Sequence, residues 1–112
     1  MKKLIILLIL ALSFSISFAN PPSKVDLSLN KEKTNLNIIS THHVSNPQKH
    51  FIYKVEIRVN DKLVETLNNK EQTNANEEIN DYPISNLKKG DVIKVTSYCN
   101  MFGNKSVKMT VE

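Results

Sequence analysis

The chain has 112 residues with a formal net charge of +4, and it contains one Cys, two Gly and no Trp. This length supports one domain and excludes large multi-site enzymes. Charges of both signs are interspersed and Arg58 is the only Arg, so nothing favours a nucleic-acid partner. A single Cys forms no internal disulfide, so it pairs with another chain, stays reduced or binds a ligand.

The N-terminal residues have the layout of a secretory signal peptide. Two Lys residues precede an apolar run at positions 4–12, and Ser17-Phe18-Ala19 supplies the small-x-small pattern of a signal-peptidase site. The run is too short to span a bilayer, and no Cys follows the cut to carry a lipid. We predict a signal peptide over 1–19 and a mature domain over 20–112, whose net charge falls from +4 to +2 without the two Lys residues. The expected location is the periplasm, with no membrane partner after cleavage.

An alternation of apolar and polar residues, typical of strands, runs through nearly all of the mature chain. The clearest case is the segment 51–59, which predicts one buried face made of Phe51, Tyr53, Val55, Ile57 and Val59. Asn60-Asp61 then predicts a hairpin turn into the next strand. The predicted strands cover residues 25–29, 34–42, 51–59, 62–67, 77–84, 92–99 and 105–111.

Seven short strands separated by regular turns predict an all-β fold, an immunoglobulin-like antiparallel β-sandwich of about seven strands. The Cys…Trp…Cys framework of immunoglobulin domains is missing, so the expected relationship is one of architecture. In that architecture, the loop after the second strand and the loop after the sixth strand lie at the same end. The first loop carries His42, His43 and His50 and the second begins at Cys99, so the topology predicts that these loops meet.

A thiolate with two or three imidazoles suits iron, zinc or copper and does not suit magnesium or calcium. Alternation places His42 and Cys99 inward but His43 and His50 outward, so a bulge or a twisted loop is needed to aim His50 at the other two. Two other interpretations stay open: a buried, inert Cys99 beside surface histidines, or a nucleophilic pair of Cys99 and His42. No nucleophile elbow, phosphate loop or paired carboxylates support conventional hydrolase chemistry.

Two segments carry motifs beyond the alternation. Residues 97–103 read Ser-Tyr-Cys-Asn-Met-Phe-Gly, and residues 41–52 read Thr-His-His-Val-Ser-Asn-Pro-Gln-Lys-His-Phe-Ile. The first is similar to the Tyr-Cys-Asn-x-His-Gly signature of the iron domain of desulfoferrodoxin and the superoxide reductases. The second resembles that family's His-Pro-x-x-x-x-His-aromatic-Ile element, and 55–64 resembles the strand and hairpin after it. The resemblance covers roughly residues 34–111 and implies the same immunoglobulin-like fold.

In that family, four equatorial histidines and an axial cysteine thiolate hold ferrous iron, and the sixth position is open for superoxide. The resemblance implies that His42, His50 and Cys99 are metal ligands, that iron is the cofactor, and that superoxide or a redox protein is the partner. An electron-rich sulfur opposite the open position favours protonation and release of peroxide.

The resemblance is incomplete at the ligands. Phe102 stands where the family has its next histidine, and Thr34 ends the nearest analogue of the upstream Glu-Lys-His segment. His43 stands where the family has a Pro after its first histidine, and it is a candidate substitute ligand. The spacing between His42 and His50 is two residues longer than in the family. With two of five ligands missing, the resemblance implies an incomplete site for iron, zinc or copper, or for no metal, with weak superoxide or redox activity.

An alternative resemblance points to a metal-free immunoglobulin-like binding module. The small subunit of the bacterial thiosulfate-oxidation carrier complex has a similar His-Phe-Ile strand, Asn-Gly-Lys hairpin and late Gly-Asp turn. The matching residues here are 50–52, 60–62 and 90–91. That subunit lacks the Tyr-Cys-Asn motif, which favours the superoxide reductases as relatives.

Overall fold

The computed structural model describes residues 21–112, so the predicted signal peptide lies outside the described residues. Within this range the chain forms strands and turns, and no helix is long and apolar enough to cross a membrane. The strands are β1 (Lys24–Leu29), β2 (Leu36–Thr41), β3 (Ile52–Val59), β4 (Lys62–Asn68), β5 (Glu77–Tyr82), β6 (Val92–Cys99) and β7 (Asn104–Thr110).

The seven strands form two antiparallel sheets that pack as an immunoglobulin-like β-sandwich, as predicted. One sheet has the order β1-β2-β5 and the other has the order β4-β3-β6-β7. In constant-type immunoglobulin domains the fourth strand lies in the sheet of the first two strands. Here a two-residue turn, Asn60-Asp61, joins β3 directly to β4 and keeps β4 beside β3.

Aliphatic side chains from both sheets fill the space between them. Leu36 and Ile38 of β2 face Ile93 and Val95 of β6, and all four are fully buried, as the alternation predicts. Each such side chain stabilises the fold by about 1.5–3 kcal/mol relative to an exposed one. The rest of the buried core is Val25, Ile52, Val55, Ile57, Ile84 and Val111.

The predicted inward face of β3 is wrong at its beginning. Ile52 pairs with Cys99 and Lys54 pairs with Tyr98, so Tyr53 is an extra residue in a β-bulge. One extra residue reverses the side-chain alternation, because successive residues of a strand point to opposite faces. Ile52 is therefore fully buried, whereas Tyr53, which was predicted to lie on the buried face, is 37% exposed.

Candidate metal centre

His42 and Cys99 reach the same end of the sandwich from opposite sheets. His42 directly follows β2 and continues its inward phase, and its side chain is 1% exposed. Cys99 is the last residue of β6, is 5% exposed, and donates its backbone N–H to the carbonyl oxygen of Gly103 at 2.9 Å. The backbone N–H of Met101 lies 3.4 Å from the Cys99 Sγ atom and donates to it. Strand alternation therefore positions both side chains as predicted.

His50 completes the cluster from the loop before β3. Its Nε2 atom lies 3.1 Å from Cys99 Sγ, and its ring centroid lies 4.9 Å from that of His42, with the two rings nearly perpendicular. The loop is held by Asn46, whose carbonyl oxygen accepts the backbone N–H of His50 at 2.9 Å. The bulge at Tyr53 comes three residues after His50. It reverses the alternation upstream, and a bulge of this kind was predicted to be necessary for His50 to point inward.

The ligand atoms of His42, His50 and Cys99 all lie within 4.8 Å of one another. In a tetrahedral zinc or iron site with bonds of about 2.0–2.3 Å, ligand atoms lie roughly 3.5 Å apart. The 3.1 Å between His50 Nε2 and Cys99 Sγ is already within that separation. The other ligand atoms lie up to 4.8 Å apart, so they need to approach by about an ångström to bind one ion. The donor set of two imidazoles and one thiolate fits zinc, iron or copper.

The structure places the remaining candidates away from this cluster. His43 is exposed, and its Nδ1 atom lies 3.2 Å from Asn76 Oδ1 on the outside of the loop. Phe102 is 69% exposed on the β6–β7 loop. Thr34 lies in the β1–β2 turn, at the opposite end of β2 from His42. The described residues therefore bring together the three predicted ligands without a third histidine.

Gln72 is a site residue that the sequence did not single out. Its Nε2 donates to the carbonyl oxygens of His42 and Asn74 at 2.7 and 2.9 Å, and its Oε1 accepts the backbone N–H of Ile52 at 3.2 Å. This orientation of the amide sets Oε1 2.8 Å from His42 Nδ1, so Nδ1 is the protonated nitrogen. In the neutral ring, the Nε2 lone pair is then the metal-binding position.

Electrostatics favour a neutral His50. Burial, and secondarily the proximity of His42, lowers the pKa of His50 below its usual 6.5. A metal needs the imidazole in its neutral form, so a lowered pKa keeps this ligand available at neutral pH.

A cavity of about 580 Å³ lies beside the cluster and has Cys99 in its wall. It connects the otherwise buried thiol to the surface and provides space for a small ligand next to the sulfur. Its lining residues are Phe51, Tyr53, Asn69, Lys70, Cys99 and Asn100.

Comparison of the sequence with protein-family models and with curated proteins returns no match for this chain. The assignment of a function therefore depends on the geometry of the site and on the motifs themselves.

Proposed function

We propose that this chain is a small exported protein that binds one transition-metal ion through His42, His50 and Cys99. The observation that carries the proposal is the convergence of these three ligand atoms within 4.8 Å of one another, from three separate segments and both sheets. The hydrogen bond of 2.8 Å from His42 Nδ1–H to Gln72 Oε1 supports it, because a metal-bound histidine commonly donates the N–H of its other ring nitrogen to such an acceptor.

We further propose iron as the ion and a superoxide-reductase-like ancestry for the site. The immunoglobulin-like fold and the Tyr-Cys-Asn motif at residues 98–100 support this ancestry. A bound ion would supply a redox centre with open coordination positions. Activity on superoxide is expected to be weak, because Phe102 and Thr34 replace two of the five ligands of that family. Zinc or copper in the same three ligands would mark a repurposed site.

The competing candidate is a metal-free binding module in the same fold. One observation favours it: among the described residues, no buried side-chain nitrogen or oxygen lacks a hydrogen-bond partner, so the cluster is satisfied as it stands. His50 Nε2 and Cys99 Sγ, 3.1 Å apart, are hydrogen-bond partners of each other. This candidate predicts that the protein purifies without metal and gains no stability from added metal.

Metal content of the mature protein, purified from the periplasm without an affinity tag, tests the proposal. We expect about one equivalent of metal by mass spectrometry, and loss of that metal in the variants Cys99→Ser and His42→Ala. His43→Ala is the matched control and should retain the metal, because its ring faces away from the cluster. A metal-free protein, or a coloured form that keeps its sulfur-to-metal absorption in Cys99→Ser, would contradict the proposal.

A further inference from the structure

The most exposed large apolar side chains of the described residues are neighbours on the β6–β7 loop. Met101 is 65% exposed and Phe102 is 69% exposed. They are consecutive residues of the same loop. Exposed contiguous apolar surface next to charged groups marks interaction sites in soluble domains. We call Met101 and Phe102 the apolar tip.

The base of this loop is held in place by hydrogen bonds. The side chain of Asn100 accepts the backbone N–H of Phe51 at 2.9 Å and donates to the carbonyl oxygen of Lys49 at 2.9 Å. The Asn100 backbone N–H donates to the carbonyl oxygen of Phe51 at 3.0 Å. Gly103 closes the loop with a φ of 95°. The apolar tip is therefore presented by an ordered loop, so binding costs little conformational entropy.

Exposed lysines lie on segments that adjoin the β6–β7 loop. The carbonyl oxygen of Lys49 accepts a hydrogen bond from Asn100, and Lys70 lines the cavity that Asn100 also lines. Lys105 is the second residue of β7, two residues after Gly103. All three lysine side chains are exposed, and Glu71 is the one acidic residue adjacent in sequence to any of them. The segments that contact the loop therefore contribute three exposed lysines and one exposed glutamate, Glu71.

The described chain also begins at this end. A Cβ placed on Gly103 would lie 2.8 Å from the Cβ of Pro21, so Pro21 packs directly against the β6–β7 loop.

We propose that the apolar tip docks the protein on an anionic phospholipid bilayer, with Met101 and Phe102 in the interfacial layer and the three lysines against the headgroups. Apolar side chains flanked by lysines are typical of interfacial anchors. Protein–protein interfaces, in contrast, are enriched in Arg and depleted in Lys, and Arg58 lies on the outer face of β3 towards its far end. A projecting tip also enters a soft interface without needing a complementary pocket.

This proposal is independent of the proposed metal centre, since no ligand takes part in the docking. It departs from the expectation that cleavage of a signal peptide leaves no membrane partner. That expectation concerned an anchor in the sequence, whereas the docking surface depends on side-chain exposure. The bilayer would also bring the Cys99 end of the sandwich close to the membrane.

Tryptophan fluorescence tests the docking directly, because the chain contains no Trp. The mature Phe102→Trp variant should show a blue-shifted emission with vesicles of phosphatidylglycerol and phosphatidylcholine, and no shift with pure phosphatidylcholine. High salt should reverse the shift, since lysine–headgroup attraction is screened. In sedimentation with the same vesicles, Met101→Ala/Phe102→Ala should bind about a hundredfold more weakly than the wild type. Each Lys→Gln change at Lys49, Lys70 or Lys105 should weaken binding about fivefold.

The matched control is Leu63→Ala/Val64→Ala, which removes a second exposed apolar pair, 48% and 43% exposed, at the opposite end of the same sheet. This variant should bind vesicles like the wild type. The proposal is overturned if anionic vesicles are not bound, or if the two double variants bind equally. It is also overturned if the indole of the Phe102→Trp variant emits in a buried environment without lipid, because the chain itself would then cover the tip.

Discussion

Gln72 determines how His42 is presented at the centre of the site. The amide has no alternative orientation, because a flipped Gln72 would direct its oxygen at two carbonyl oxygens and its nitrogen at the backbone N–H of Ile52. One buried side chain therefore fixes the tautomer of His42 and ties the β4–β5 loop to the start of β3. A ligand oriented in this way loses little freedom when metal binds.

We expect Gln72→Ala to lower metal affinity by about 10–100-fold, as loss of a hydrogen-bond partner behind a metal-bound histidine typically does. It should also lower the free energy of unfolding by roughly 1–3 kcal/mol, because buried carbonyl and N–H groups lose their partner. Competition titration with a zinc chelator measures the affinity, and urea denaturation measures the stability. An unchanged zinc affinity together with the loss of stability would show that Gln72 is structural only.

The buried carboxyl of Glu78 makes the free energy of unfolding depend on pH. Its side chain is 5% exposed, and its Oε1 accepts hydrogen bonds from the Thr73 backbone N–H and hydroxyl at 2.8 and 3.0 Å. Burial raises the pKa of Glu78 above its usual 4.5, and the hydrogen bonds of Thr73 oppose part of that rise. A carboxyl whose pKa is higher in the folded state stabilises the fold below its unfolded pKa, and this contribution disappears as the pH rises through the folded pKa.

The variant Glu78→Gln should therefore gain stability relative to the wild type as the pH increases from about 4 to 7. The size of the gain reports how far the folded-state pKa of Glu78 lies above its unfolded-state pKa. Urea denaturation at several pH values measures it. Glu77→Gln, on the neighbouring outward-facing position of β5, serves as the control and should show no such trend. A constant difference between Glu78→Gln and the wild type across this range would contradict the argument.

Side-chain alternation predicted part of the candidate site from the sequence: it succeeded along β2 and β6 and failed at the beginning of β3. Alternation correctly placed His42 and Cys99 inward, because regular strands continue their phase to the last residue. It failed at Tyr53, because a bulge depends on pairing with β6 and leaves no pattern in β3 itself. Gln72 was missed for a related reason. It lies in a polar loop, and its burial results from contacts with His42 and Ile52 that are distant in the chain.

The β3–β4 hairpin was predicted from the turn pair Asn60-Asp61. A substitution at Asp61 should increase the stability of this turn. Asn60 and Asp61 have φ values of 50° and 69°, which is the pattern of a type I′ turn. The Asn60 side chain also bonds Asp91 Oδ1 and the Val92 backbone N–H, at 2.9 and 3.0 Å, so it anchors the turn to the start of β6. Asp61 occupies the second central position of the turn, which favours glycine.

Asp61→Gly should therefore stabilise the protein by about 0.5–1 kcal/mol, because Gly adopts a positive φ without steric cost. Asp61→Ala should destabilise it by a similar amount, because Ala tolerates that conformation less well than Asp. Thermal unfolding of the three proteins gives the order Gly, Asp, Ala. A higher unfolding temperature for the Ala variant than for the Gly variant would mean that the turn changes type.

At the scale of the whole molecule, the candidate metal centre lies where the two sheets meet. His42 directly follows β2 of the three-stranded sheet, Cys99 ends β6 of the four-stranded sheet, and His50 lies in the loop before β3. Below them, the buried hydroxyls of Ser40 and Ser97 form a 2.6 Å hydrogen bond between β2 and β6. This end of the sandwich is therefore joined by polar contacts, while the middle is joined by aliphatic packing.

A metal ion in this position would cross-link the two sheets, and its removal should weaken the whole fold. Ions that bind only the native state add about 2.7 kcal/mol at a concentration one hundred times the dissociation constant. We expect zinc or ferrous iron to raise the unfolding temperature and a chelator to lower it, with one transition for the entire domain. Cys99→Ser should abolish this response, since the remaining pair of histidines holds the ion weakly. His43→Ala should respond like the wild type. A shift of equal size in Cys99→Ser would place the stabilising ion elsewhere on the surface.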